Sequence, residues 1–306
     1  MGQFKLIIFL TLIVIACALL KSIYPITEGF KQSNNLPLRE FCIFGSTNTA
    51  LTNGNRLVNL DQIQEVLKRG CRFIEIEIYS VSGMPVVGYS TDSKKYNLDS
   101  ENSLALSDVL NKIVSVGFGE APNSNEPILI HMRIKTSNRN LYNKIAHIIK
   151  TNIEPRMYSG ARGNDAMLGT PLSRLMDKVV IVIDTDGEDS PDYQELKKYV
   201  HMESGQYSVR KYKVDELSAG LLEPPFVKDN GMTTDVKLIR IVYPSNTYNN
   251  PDITKMVPNF GAQIIANQFY SPDKNLSETE RIFSDNKSAF VPISRMLRYL
   301  KNDASE

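Results

Sequence analysis

The chain has 306 residues, 42% of them hydrophobic and 23% charged, which excludes an intrinsically disordered or collagen-like protein. Its 35 Lys and Arg nearly balance 34 Asp and Glu, so no basic field exists to hold nucleic acid and no nucleic-acid partner is expected. Cys17, Cys42 and Cys71 are too few for a disulfide scaffold, and three histidines leave little material for a paired-histidine mechanism.

The first element is an uncharged run from Leu6 to Leu20, flanked by Lys5 and Lys21. As a helix it would rise only ~22 Å. Extended from Phe4 to Tyr24, with both lysines reaching back to the headgroups, it matches the ~30 Å hydrocarbon core. Residues 1–24 therefore read as an N-terminal apolar helix that serves as a single-pass membrane anchor. Cleavage near Ala16-Cys17-Ala18 would instead make the segment a signal and the protein secreted. Residues 25–36, with Pro25, Gly29 and Asn34-Asn35, read as a tether.

From residue 37 to 300 short apolar runs alternate with helical patterns. Phe41 to Gly45 reads as a strand, and Asn59 caps a helix carrying Leu60, Ile63, Val66 and Leu67. Arg72 to Tyr79 is β-rich, and Pro85 to Val87 is a short strand. Ser103 is expected to open a helix through Leu106, Val109, Leu110 and Ile113. Ile128 to Ile134 is a strand and Leu141 to Ile149 helical. Val179 to Ile183, Leu238 to Tyr243 and Gln263 to Ala266 complete the strand set. This alternation, without a separating linker, points to one α/β domain of the barrel kind, although periodicity alone does not distinguish a closed barrel from an open doubly wound sheet.

No phosphate-binding loop, dinucleotide fingerprint, nucleophile elbow or zinc spacing is present. The acidic run from Asp184 to Asp189 reads as a solvated turn. The informative segment is Leu36 to Tyr89. Glu75 and Glu77 are two apart on a strand and so share one face, where two like charges need a cation or an arginine beside them. His131, Arg133 and Lys135 alternate in the same way, and Arg133 with Lys135 can bind a phosphodiester without metal. His131 is either a substitute acid or base or a hydrogen-bonded core histidine.

Gly45-Ser46-Thr47-Asn48-Thr49, Arg69-Gly70-Cys71-Arg72 and Glu75-Ile76-Glu77 together resemble the X region of phosphatidylinositol-specific phospholipase C. Pro85-Val86-Val87 and Pro127-Ile128-Leu129-Ile130 fit further strands of that region. Tyr243-Pro244, the run from Gly261 to Ala266 and Phe269-Tyr270-Ser271-Pro272 are similar to its Y region. The resemblance implies a TIM-type (β/α) barrel of the phospholipase C-like phosphodiesterase kind. In that family one histidine assists attack of the inositol 2-hydroxyl on phosphorus and a second protonates the departing diacylglycerol. Those two positions hold Thr47 and Tyr89 here (Ser90 if the gap shifts). Asn48, Glu75 and Glu77 keep the oxygen donors of the family's calcium ligands, while the fourth carboxylate position holds Arg133. Arg133 disfavours calcium, as in resembling bacterial phospholipases that use arginine in its place, so no cofactor is expected. The family's ring-phosphate-binding basic positions fall on Val182 and Asp184.

Thr47, Asn48, Tyr89 and His131 are accordingly the candidate catalytic residues. Glu75, Glu77, Arg133, Lys135 and Tyr243 are the candidate substrate-binding residues, with Tyr243 expected to stack on the inositol ring. The expected partner is a phosphoinositide-like membrane phospholipid. The expected activity is hydrolysis of its phosphodiester by a membrane-tethered enzyme. Loss of both histidines supports a second reading, a degenerate relative that binds a phosphate-bearing lipid or protein without turnover.

Overall fold

Runs of β-branched and aromatic residues form the strands, and polar caps start the helices between them. The computed structural model describes residues 35–303 apart from 53, 55, 92–96, 137, 139, 185–192, 206–207, 219–237 and 246–248. The expected apolar helix at 1–24 and most of the tether lie outside the described residues, as does most of the acidic run after Asp184. Among the described residues no helix is long and apolar enough to cross a membrane.

The strands are β1 (Phe41–Ser46), β2 (Phe73–Val81), β3 (Met84–Gly88), β4 (Leu104–Ala105), β5 (Ile128–Ile134) and β6 (Val179–Asp184), followed by β7 (Met202–Glu203), β8 (Val209–Lys213), β9 (Ile239–Tyr243), β10 (Ile264–Asn267) and β11 (Phe290–Pro292). The helices are α1 (Leu60–Lys68), α2 (Leu106–Gly117), α3 (Leu141–Asn152), α4 (Asn164–Leu168), α5 (Tyr193–Lys197), α6 (Val214–Ser218), α7 (Ile253–Phe260), α8 (Lys274–Asn286) and α9 (Ile293–Asp303). Eight strands run parallel in the order β7-β6-β5-β2-β1-β10-β9-β8 and make a nearly closed α/β barrel. β11 adds antiparallel to β1, and β3 to β2.

Local chemistry explains the boundaries. Asn59 caps α1 by accepting from the Asp61 N–H at 3.0 Å, and α1 turns Ile63, Val66 and Leu67 inward. Asp273 does the same for α8 through the Leu276 N–H, and left-handed Gly261 ends α7. The expected start of a helix at Ser103 is corrected: Leu104 and Ala105 stay extended because they pair with Val87 and Val86, so α2 begins at Leu106. Four strands escaped the sequence reading: Leu104–Ala105, Met202–Glu203, Val209–Lys213 and Phe290–Pro292.

β6 is buried from end to end, as a parallel strand covered on both faces must be. β1 and β10 approach closely because Gly45 has no side chain; a Cβ there would lie 2.9 Å from the Ile265 carbonyl oxygen. Register then stacks the interior in layers. Glu75 pairs with His131 across β2 and β5, and one step further Glu77 pairs with Arg133 and Arg133 with Asp184.

Candidate active site

Arg133 and Asp184 lie at the C-terminal ends of β5 and β6, where parallel barrels carry their sites, and the layer of Glu75 and His131 lies one step deeper in the barrel. Glu75 is fully buried and Glu77 nearly so. Carboxylates removed from water need compensation, and Arg133 supplies it. Its Nη1 lies 2.8 Å from Glu77 Oε1 and 3.4 Å from Glu75 Oε1. The guanidinium keeps 15% side-chain exposure, so it closes the acidic layer while still facing outward.

Every carboxylate oxygen of the pair has a donor. The Thr47 hydroxyl donates to Glu75 Oε1 at 2.6 Å, and His131 Nδ1 lies 3.2 Å from Glu75 Oε2. The Tyr79 hydroxyl donates to Glu77 Oε2 at 2.6 Å, joined by the Ser90 N–H at 3.3 Å. The Tyr243 hydroxyl sits 3.1 Å from His131 Nδ1 and also hydrogen-bonds Glu75. A carboxylate facing Nδ1 places a proton on that nitrogen, which leaves Nε2 of the neutral ring as an acceptor. Nε2 faces the Ser204 hydroxyl at 2.8 Å.

The two carboxylates are driven apart electrostatically. Burial opposes ionisation of Glu75, but Arg133, His131 and Thr47 overcome it and hold its carboxyl well below the usual range. Burial wins at Glu77 and raises its carboxyl despite Arg133 and Tyr79. Arg133 resists its own desolvation through both carboxylates and stays cationic. Burial, with Glu75 beside it, pushes the Tyr243 phenol well up.

Thr47, Asn48 and Thr49 make the turn after β1. The Thr47 N–H donates to the Asn267 carbonyl and the Thr49 N–H to the Glu75 carbonyl, pinning the turn to both neighbouring strands. Asn48 adopts a left-handed conformation, φ 46°, which asparagine tolerates best among residues with a side chain. Its Oδ1 is buried with no hydrogen-bond partner among the described residues, while the side chain also bonds the Tyr270 hydroxyl. Tyr89 is half-buried, with its ring centre 6.3 Å from that of Tyr270.

The structure thus links Thr47, Glu75, Glu77, His131, Arg133 and Tyr243 in one network, with Asn48 in the adjoining turn. Lys135 is buried just past β5, its charge felt at Glu77. Tyr243 presents its hydroxyl to the His131–Glu75 pair. The other two histidines stand apart. His201 is fully buried, its Nδ1 accepting from the Ile181 N–H and its Nε2 donating to the Tyr158 carbonyl, and His147 lies exposed on α3. Tyr79, Ser204 and Tyr270 were missed by sequence reasoning. Tyr79 follows Glu75 and Glu77 at strand spacing, a signal that points to the same face. Asp184, expected to open a solvated turn, instead ends β6 beside Arg133, ion-paired with Lys211.

Residues 34–184 match the family described as phosphatidylinositol-specific phospholipase C, X domain. The chain carries that X domain. The phospholipase fold extends well past it. PLC21 of L. pealei superposes with a TM-score of 0.65 at 17% identity, covering 84% of this chain and 37% of that one. PLC21 of S. officinalis gives 0.60 at 16% identity, with 84% and 37% covered. The calcium-dependent phosphoinositol-specific phospholipase C of a Pseudomonas sp. gives 0.52 at 11% identity, covering 86% of this chain and 97% of that one. At these identities the likeness is one of fold, and the chain spans little more than a third of the length of the two PLC21 proteins. No curated protein matches the chain.

Proposed function

We propose that this phospholipase C-like barrel is a membrane-tethered phosphoric diester hydrolase that binds phosphoinositide-like phospholipid headgroups without a metal. The observation that carries this reading is Arg133. Two buried carboxylates hold a permanent cation at the mouth of a phospholipase C barrel, where its outward face meets a phosphodiester. Asn48 Oδ1, buried and without a hydrogen-bond partner among the described residues, would take a headgroup hydroxyl.

Calcium, which the Pseudomonas enzyme requires by its description, does not fit this donor set. All four oxygens of Glu75 and Glu77 already face hydrogen-bond donors, and the arginine occupies the space and charge a divalent ion needs. Among the described residues no group of three or more His, Cys, Asp or Glu side chains converges to hold a metal ion. The membrane tether of this proposal rests on the uncharged run between Lys5 and Lys21.

The second reading, binding without turnover, has its own observation. Thr47 and Tyr89 stand where proton carriers are expected, and neither hydroxyl exchanges protons near neutral pH as imidazole does. Release of water-soluble phosphoinositol from labelled phosphatidylinositol vesicles, with and without chelator, separates the two. Release that survives chelation supports the hydrolase. Vesicle binding without release would leave the binding protein.

A further inference from the structure

Ser204, His131 and Glu75 stand in line. The Ser204 hydroxyl lies 2.8 Å from His131 Nε2, and His131 Nδ1 lies 3.2 Å from Glu75 Oε2. Phe73 packs on the imidazole at 5.4 Å between ring centres, which keeps the ring in the plane that serves both contacts. With the proton on Nδ1, where it faces Glu75, Nε2 is the nearer acceptor for the serine hydroxyl, which also lies 3.4 Å from the Ile183 carbonyl. That is the geometry of a nucleophile, a base and a carboxylate that orients the base.

The order of burial also suits the chemistry. Glu75 and His131 are fully buried, whereas Ser204 keeps 7% exposure and is the end of the line nearest solvent. Register places Ser204 just beyond the Glu203–Ile183 pair, hence beside Asp184 in the outer layer with Arg133, while His131 lies one layer below. Gly205, at φ +87°, turns the chain immediately after the serine. Asp184 between them is ion-paired with Lys211, which offsets its repulsion of an anionic substrate.

We infer that Ser204 is the nucleophile of a Ser204–His131–Glu75 relay that cleaves phosphodiesters through a covalent phosphoserine. The inference rests on the hydrolase reading above and supplies the base that Thr47 and Tyr89 lack. Ser204 Oγ forms a bond to phosphorus as its proton passes to His131 Nε2. The bond from phosphorus to the leaving alkoxide breaks, and that oxygen takes the proton from the imidazolium. Water then attacks the phosphoserine, giving a proton to Nε2, and Ser204 Oγ departs and recovers it. Phosphorus keeps its valence and the enzyme returns unchanged. Arg133 sits where negative charge develops on the phosphoryl oxygens.

The test is labelling of the full-length chain with a fluorophosphonate, in which Ser204 Oγ displaces fluoride. One phosphonyl group per chain, mapped to Ser204 and absent from Ser204→Ala, is the expected result. His131→Gln should slow labelling by about 100-fold or more, the scale of a lost general base. A folded wild-type chain that takes no label overturns the inference, as does a label that persists undiminished in Ser204→Ala. Ser204→Cys leaves His131 in place and gives a second reading that survives a folding failure of His131→Gln. The introduced thiol should be alkylated by iodoacetamide well ahead of Cys42 and Cys71, which are buried and whose thiols burial pushes up. An introduced thiol as inert as those two would count against the relay. Labelling without phosphoinositol release keeps Ser204 as nucleophile and removes only the phospholipid reading; release without labelling does the reverse.

Discussion

Arg133 and Glu77 face each other across the parallel pairing of β2 and β5, and their side chains meet at 2.8 Å. The same guanidinium reaches Glu75, so one cation neutralises two carboxylates that have almost no contact with water. Burying an ion pair brings little net stability, because desolvation offsets attraction. Removing one partner is costly, because the others stay buried and uncompensated.

Arg133→Met should therefore destabilise the fold by about 3–5 kcal/mol, the range for breaking a buried pair. Urea unfolding at neutral pH measures it. A loss below ~1 kcal/mol would mean that the pair behaves as an exposed one.

Replacing the same residue by Glu tests the charge argument from the other side. Arg133→Glu would set a third carboxylate beside Glu75 and Glu77, with Asn48 in the turn pinned to the Glu75 carbonyl, an oxygen set suited to calcium. The variant should gain calcium affinity by calorimetry and a calcium-dependent rise in melting temperature. The wild-type chain should show neither at micromolar calcium. Wild-type binding through Glu75 and Glu77 at that level would sink the metal-free reading.

His201 makes stability depend on pH. Its folded value is lowered to about 4 by burial, against an unfolded value of about 6.5. Between those values the unfolded chain binds a proton that the folded chain refuses, so stability rises with pH across the window and is lost as pH falls through it. The full difference amounts to about 3 kcal/mol. Protonation would also put a hydrogen on Nδ1, which accepts from the Ile181 N–H. His201→Gln should be less stable near neutrality but show a flatter pH dependence between about pH 6.5 and 4. Urea midpoints across that range, compared with wild type, give the difference in slope. Parallel slopes would remove His201 as the cause.

The strand pattern was legible wherever local chemistry sufficed. Ile128 to Ile134 read as a strand and is one to the residue, because seven mostly apolar residues bounded by Pro127 have few other uses. The Asn59 cap was equally local. Val209–Lys213 was not legible, since VRKYK carries three cations and reads as surface; it becomes a strand by pairing with Ile239–Tyr243. The acidic pair and Arg133 were legible from strand spacing, and the structure joins them. Ser204 was not, because 73 positions separate it from His131 and no spacing rule spans the elements between them. The three-residue line from Ser204 to Glu75 exists only once β2, β5 and β7 are in register.

Thr47 supplies the last prediction, since it occupies a position where the resemblance expects a histidine. Its hydroxyl donates to Glu75 Oε1 at 2.6 Å from a nearly fully buried side chain, so its visible work is to stabilise that carboxylate. Thr47→Val keeps the shape and removes only the hydroxyl. A hydrogen bond to a charged group contributes about 1.5–3 kcal/mol, and the variant should lose that much stability in urea. Phosphoinositol release should fall by a small factor only, well short of the ~100-fold that losing a general base costs. The reason is that a threonine hydroxyl does not carry protons near neutral pH, so the turnover we propose cannot pass through it. Headgroup release is assayed on Thr47→Val and Ser204→Ala side by side. A collapse of activity in Thr47→Val with Ser204→Ala unaffected would move the chemistry back to the turn after β1 and away from Ser204.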